Sequence, residues 1–207
     1  MGTPVILTAA VEGLVDETLL RRICQHVGTS LGEVYGRKGK AHILSRINGY
    51  NNSARFRHWV VLLDLDNDGA CAAEVLREWL PAPAPMMRLR IAVREIEAWL
   101  LGDRERLAAY LSVSLNHLSE DPECLADPKL ELVNLARKSR RRAIREDMVP
   151  ISGSGQPVGP AYTSRMIEFI QSPIVGWRPD IAAVNSESLR RCIGALSDLG
   201  QHRPPTI

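Results

Sequence analysis

The chain has 207 residues, 45% of them hydrophobic and 24% charged, with a formal net charge of +2; this is ordinary globular composition and gives no indication of disorder. No run approaches the ~18 apolar residues a membrane span needs, and the N-terminal apolar run lacks the basic n-region of a signal peptide, so a cytoplasmic protein without a membrane partner is expected. Cys24, Cys71, Cys124 and Cys192 show no Cys-x-x-Cys spacing, which argues against a zinc site and a disulfide framework and predicts reduced, mostly buried thiols.

Val5 to Val11 reads as a first apolar strand, broken by Glu12 and Gly13. Asp16 is placed to cap a helix whose apolar positions Leu19, Leu20, Ile23, Cys24 and Val27 recur at helical spacing before Gly28. A weaker strand over Glu33–Gly36 leads into a basic loop carrying Arg37, Lys38 and Lys40, then a short helix over Ala41–Ile47. The polar stretch Asn48–Ser53 reads as the connection to a central strand. That strand is an unbroken apolar run from Trp59 to Leu63 that delivers Asp64, Asp66 and Asp68 and stops at Gly69, the pattern of a buried parallel strand. Ala72, Leu76, Trp79 and Leu80 mark a further helix, which Pro81, Pro83 and Pro85 end. Leu89, Ile91 and Val93 alternate as a fourth strand, and Glu95–Leu101 continues as a helix with Ile96, Trp99 and Leu100 on one side.

Strands alternating with helices predict parallel pairing and an α/β layered domain over residues 1–103. From Arg104 onward the pattern predicts no strand. Helices over Arg104–Leu111, Lys129–Arg145, Tyr162–Gln171 and Glu187–Leu199 make a helical C-terminal extension, 104–207, packed on that core. The loop Ile151–Gly159 is flexible by composition and lacks the Gly-Lys-Ser/Thr ending of a phosphate loop.

Ligand sites of open parallel sheets lie at the carboxyl ends of the strands, and Glu12, Asp64, Asp66 and Glu95 each fall just past such an end. Asp64 and Asp66 sit two apart, so both carboxylates leave the same side while the backbone stays extended, and converging oxygens suit a hard cation such as Mg²⁺. Four acids on one rim would repel without a cation. Such a cluster can hold two metals about 3.5–4 Å apart and clamp the attacking and leaving oxygens of a phosphodiester. Other readings compete. Asp66, Asn67, Asp68 and Gly69 are also ordinary turn residues. Residues 64 to 69 match the start of a calcium EF-hand loop, but the bidentate Glu should fall at Val75. An Asp-x-Asp after a strand also resembles the haloacid-dehalogenase phosphatases, which have a Thr where this chain has Asp68.

Val11, Glu12 and Gly13 after a first strand, then Leu63, Asp64, Leu65 and Asp66 after a later one, resemble the Toprim signature of topoisomerases, bacterial primases, small ribonucleases and the overcoming-lysogenisation-defect nucleases. The stretch Glu95, Ile96, Glu97, Ala98, Trp99, Leu100, Leu101, Gly102, Asp103, together with Asp127, Pro128 and Lys129, resembles a family of small bacterial Toprim-like proteins of uncharacterised function, some associated with ATPases in phage defence. The resemblance implies a Toprim-like Rossmannoid sheet, with Glu12 as the acid-base or metal-linked glutamate and Asp64 and Asp66 as metal ligands. It implies that Glu97 or Glu95 completes the site, and that Lys129 stabilises the pentavalent phosphate. Asp68 is either a further ligand or only the turn residue.

Lys129, Arg137, Lys138, Arg140, Arg141, Arg142 and Arg145 face a single acid, Glu131, within one stretch. Arg137, Arg141 and Arg145 follow i, i+4 spacing, which on one helix makes a basic face suited to phosphates. The alternative is a solvated face salt-bridged to Glu146, Asp147 or the acidic Glu120 and Asp121. Lys38 and Lys40, with Arg37, offer a second basic path. The chain thus reads as a nuclease dependent on Mg²⁺ or Mn²⁺ and acting on DNA or RNA, with an ATPase partner and a homodimer as further expectations. The alternative is a non-catalytic Toprim-like partner that binds nucleic acid or an ATPase.

Overall fold

The computed structural model describes residues 5–69 and 71–201. Two compact units divide the chain: one runs up to Ala92 and takes in the chain from Arg190 onward, and the other is Val93–Leu189. The helical stretch expected over 104–207 is therefore shared between the units.

The first unit is built on four parallel strands, β1 (Ile6–Val11), β2 (Ser30–Gly36), β3 (Trp59–Asp64) and β4 (Met87–Ala92), in the order β2-β1-β3-β4. Helices α1 (Leu14–His26), α2 (Lys40–Leu44), α3 (Ile47–Ser53) and α4 (Ala72–Trp79) connect them. This is the α/β, Rossmann-like arrangement that the strand-helix alternation predicts. All six residues of β3 are buried, so its apolar run feeds both faces of the sheet. Trp59, Val61 and Leu63 join Ala10, Ile43, Ile47, Leu80, Met87 and Leu89 in one core layer. Val60 and Leu62 alternate to the other face, and α1, which contacts β1 and β2, buries Leu19, Leu20, Ile23 and Cys24.

Two local expectations need correction. The α1 helix starts at Leu14 with Gly13 as its cap residue, so Asp16 lies inside the first turn rather than capping it. Asn48–Ser53 is not a loop but most of α3. Its weak propensity is outweighed by tertiary packing: Ile47 is buried, and the Tyr50 ring stacks on Trp59 at 4.9 Å.

The second unit contains no strand among its described residues. Its helices are α5 (Ile96–Gly102), α6 (Arg104–Leu111), α7 (Pro128–Arg137), α8 (Arg142–Met148), α9 (Tyr162–Gln171) and α10 (Pro179–Ala182). The last helix, α11 (Glu187–Gln201), begins in this unit and continues into the first. Every residue of α5 is buried, so the helix is covered all round and not only on the expected one-sided apolar stripe. Asp103, which follows α5, is 0% exposed, caps α6 through the Arg106 N–H, and accepts from the backbone N–H and the guanidinium of Arg178. A buried carboxylate with that many donors is strongly held.

The single helix expected over Lys129–Arg145 is two helices, α7 and α8, with Lys138–Arg141 between them. Ser139 makes the break. Its hydroxyl donates to the Leu111 carbonyl at 2.5 Å and accepts the Arg141 N–H at 3.0 Å, while the Arg140 N–H goes to the Ser112 carbonyl. Local side-chain bonds of this kind replace helix bonds. Of the cysteines, all are free; Cys24 and Cys192 are buried but Cys71 and Cys124 are exposed, so burial holds for half of them. Among the described residues no helix is long and apolar enough to cross a membrane.

Candidate functional site

The parallel pairing of β1 with β3 sets the site. With Ala10 opposite Val61, the two strands run out side by side, and Glu12 and Asp64 emerge at neighbouring carboxyl ends. Glu12 Oε1 accepts the backbone N–H of Asp64 at 2.9 Å, so the glutamate of one strand is fastened to the aspartate position of the other. Asp64 is 8% exposed. Burial pushes the Glu12 carboxyl above its ordinary value; the Asp64 N–H opposes this, the charge of Asp16 adds to it, Lys40 opposes it and Asp66 adds to it.

Past Asp64 the chain leaves the strand. Leu65 donates its N–H to the Ala92 carbonyl, Asp66 takes a left-handed φ of 48°, and Asp68 N closes a turn on the Leu65 carbonyl at 3.1 Å. The extended backbone that would send Asp64 and Asp66 to one side therefore ends before Asp66. Gly69 is required at the end of this turn, because a Cβ there would sit 2.6 Å from Val75 Cγ2. Val75 itself is buried in α4, so the position that an EF-hand would fill with glutamate belongs to the core.

Asp66 and Asp68 converge on one cation from the same chain. Lys40 Nζ donates to Asp66 Oδ2 at 2.5 Å and to Asp68 Oδ2 at 2.6 Å, and lies 5.6 Å from the centre of the Trp79 ring. The loop before it is pinned over the end of β1. Arg37 N donates to the Val11 carbonyl and Gly39 N to that of Glu12. Gly36, at φ 87°, passes so close that a Cβ would meet the Val11 oxygen at 2.5 Å. Burial alone would lower the Lys40 ammonium, but the hydrogen bonds and charges of Asp66 and Asp68 outweigh it and raise the pKa. Lys40, Ala41, Leu44, Asp66, Asp68, Glu78 and Trp79 line an open cleft of ≈ 410 Å³. Lys40, one of the residues of the expected basic path, is engaged with the acidic turn. Lys38 is exposed, and Arg37 is paired with Glu17 at 2.6 Å.

In the second unit the two motifs of the resemblance meet. Lys129, in the first turn of α7, gives its backbone N–H to Glu95 Oε2 at 3.0 Å and its ammonium to Glu95 Oε1 at 2.8 Å; Glu97 Oε1 is 3.6 Å from the same ammonium. Asp127 caps α7 through the Leu130 N–H. The Tyr162 hydroxyl donates to Glu97 at 3.2 Å, and burial, then the charge of Glu97, drives the Tyr162 pKa well above its ordinary value. Glu97 is 3% exposed; Glu95 is the residue preceding α5. Within their unit both glutamates and Lys129 hold α5, α7 and α9 together.

The basic stretch divides in the same way. The Arg141 guanidinium donates to the Tyr110 carbonyl at 3.1 Å and lies 6.0 Å over its ring, Arg145 donates to the Ser139 carbonyl, and Arg142 pairs with Glu146 at 2.7 Å. Arg137, Lys138 and Arg140 are exposed. The break at Ser139 removes the continuous i, i+4 face. Sequence reasoning missed Lys40 as the partner of Asp66 and Asp68, for which no spacing rule exists across that separation. It also missed Glu123, which accepts from the Ser186 and Ser188 hydroxyls and the Ser188 N–H.

The donor chemistry fits a hard divalent cation: carboxylate oxygens of Glu12, Asp64, Asp66 and Asp68 at the carboxyl ends of β1 and β3 are the type that takes Mg²⁺ or Mn²⁺. Among the described residues, however, no three His, Cys, Asp or Glu side chains stand gathered as a metal-holding group; two of the acids face the Lys40 ammonium. Compared with family models, curated proteins and solved structures, the chain matches none.

Proposed function

We propose that the protein is a divalent-metal-dependent nuclease of Toprim type that hydrolyses phosphodiesters in DNA or RNA. One observation carries the reading: Glu12, at the end of β1, is bonded through its carboxylate to the N–H of Asp64, at the end of the adjoining parallel strand. The acid that follows the first strand and the acid that ends a later one thus meet at the carboxyl ends of the two inner strands, which is where α/β sheets bind ligands. In this reading Glu12, Asp64 and Asp66 hold Mg²⁺ or Mn²⁺, with Asp68 beside them, and the cation supplies Lewis-acid polarisation and charge neutralisation at the phosphate. Glu12, raised by burial, holds or takes the proton that moves during attack. Exposed Arg137, Lys138 and Arg142, with Lys38, attract the phosphate backbone. Lys129, Glu95 and Glu97 are proposed in the second unit as a supporting cluster, with Lys129 the candidate for phosphate charge. Phage defence with an ATPase partner, and a homodimer, belong to the same proposal.

The test is nicking of supercoiled DNA and cleavage of labelled RNA with Mg²⁺ or Mn²⁺. Activity that disappears with a chelator and in Glu12→Gln supports the reading. Metal-dependent release of phosphate from a small monoester through an Asp64 phosphoenzyme would instead make the protein a dehalogenase-type phosphatase. The Lys40 contacts to Asp66 and Asp68 favour a second reading, a non-catalytic Toprim-like partner, because acids neutralised by a lysine need no metal. Nucleic-acid or ATPase binding without cleavage would select that reading.

A further inference from the structure

We infer that Lys40 is a tethered cation that competes with divalent metal for the acidic turn, so that metal enters by displacing the ammonium from Asp66 and Asp68. The inference rests on the functional reading above and concerns the regulation of the same site. A loop lysine is ordinarily a solvated point charge, costly to immobilise. This one is held on three sides. Its ammonium is 2.5 Å from Asp66 Oδ2 and 2.6 Å from Asp68 Oδ2, and the Trp79 ring lies 5.6 Å away. Its side chain is 14% exposed, whereas both aspartates are 45% exposed. The cation is thus the inner member of the cluster and the acids reach solvent, the arrangement in which an incoming ion meets the carboxylates first.

The backbone accounts for the placement. The bonds of Arg37 N and Gly39 N to the carbonyls of Val11 and Glu12 fix the loop on the residues that precede α1, and Lys40 is the first residue of α2. The left-handed φ of Asp66 turns the acidic segment to meet it. The ammonium and a bound divalent ion draw on the same Asp66 carboxylate, so occupancy by one weakens the other. A released Lys40 would carry its charge into the cleft it lines with Asp66, Asp68 and Glu78, where a substrate phosphate is the natural partner of an ammonium.

Calorimetric titration with Mn²⁺ of wild type, Lys40→Met and Lys40→Arg tests this. Since Asp66 and Asp68 are 45% exposed, solvent takes over from the lost ammonium and Lys40→Met remains folded, which thermal unfolding verifies. The expected result is Mn²⁺ binding at least about tenfold tighter in Lys40→Met, with Lys40→Arg near wild type, since loss of a contacting positive charge favours a second cation. Damage to the loop would weaken binding, so tighter binding has no merely structural explanation. A Mg²⁺-dependent change in tryptophan emission that is present in wild type and absent in Lys40→Met would support displacement of the ammonium from Trp79. Equal or weaker binding by Lys40→Met, abolished in both proteins by Asp64→Asn with Asp66→Asn, overturns the inference and leaves the functional reading standing. Binding that persists after those two substitutions places the metal elsewhere and overturns both.

Discussion

Glu12 combines two opposed demands, a carboxylate useful to a cation and a setting that disfavours its charge. Its carboxyl is raised above its ordinary value of 4.5, by burial first. The sign for stability follows: a raised folded-state pKa gives stability fully present below the unfolded value and lost as pH rises through the folded one. Gln keeps the Oε1 acceptor for the Asp64 N–H and carries no charge. In metal-free protein, Glu12→Gln is therefore expected to unfold at a higher temperature than wild type at neutral pH, with the difference vanishing in acid; a variant less stable at neutral pH would refute the raised carboxyl. At this scale Asp64 and Glu12 were legible, because a strand's end is marked by composition. The orientation of Asp66 was not, since a left-handed φ at a non-glycine residue is set by contacts that arise only in the folded chain.

At the scale of elements, strands and the better helices follow from periodicity, and β3 was readable from its apolar run alone. Two elements were hidden by tertiary override. The α3 helix is written in turn-prone residues yet forms because Ile47 and Tyr50 have a core and a Trp59 ring to pack on. The Lys129–Arg145 stretch is written as one helix yet breaks because Ser139 finds Leu111. The break changes the expected nucleic-acid interface. Arg141 and Arg145 are spent on carbonyls within the unit; Arg137, Lys138, Arg140 and Arg142 are exposed, and of these Arg137, Lys138 and Arg142 are the proposed phosphate contacts. Replacing these three with Gln is expected to reduce the slope of log affinity against log salt by about 0.7 per lost contact on a single strand and about 0.9 on a duplex. A slope and affinity unchanged from wild type would show that phosphates follow another path, with Lys38 the next residue to replace.

At the scale of the molecule, the alternation of strands and helices correctly foretold a parallel α/β sheet, while the partition of the chain was not written in composition. The helical region returns its last segment, from Arg190, to the unit that carries the sheet, and no boundary residue signals this in the sequence. Of the four acids foreseen on one rim, Glu12, Asp64 and Asp66 belong to the first unit and Glu95 to the second. Glu12, Asp64, Asp66 and Asp68 lie with Lys40 in the first unit, and Glu95 and Glu97 with Lys129 in the second. The central claim is that a divalent cation is held by Glu12, Asp64 and Asp66, and calorimetric titration of the full chain with Mn²⁺ tests it most directly. Wild type is predicted to bind Mn²⁺, and the Asp64→Asn, Asp66→Asn double variant is predicted to bind none. Undiminished binding by the double variant, or no binding by wild type, would contradict it.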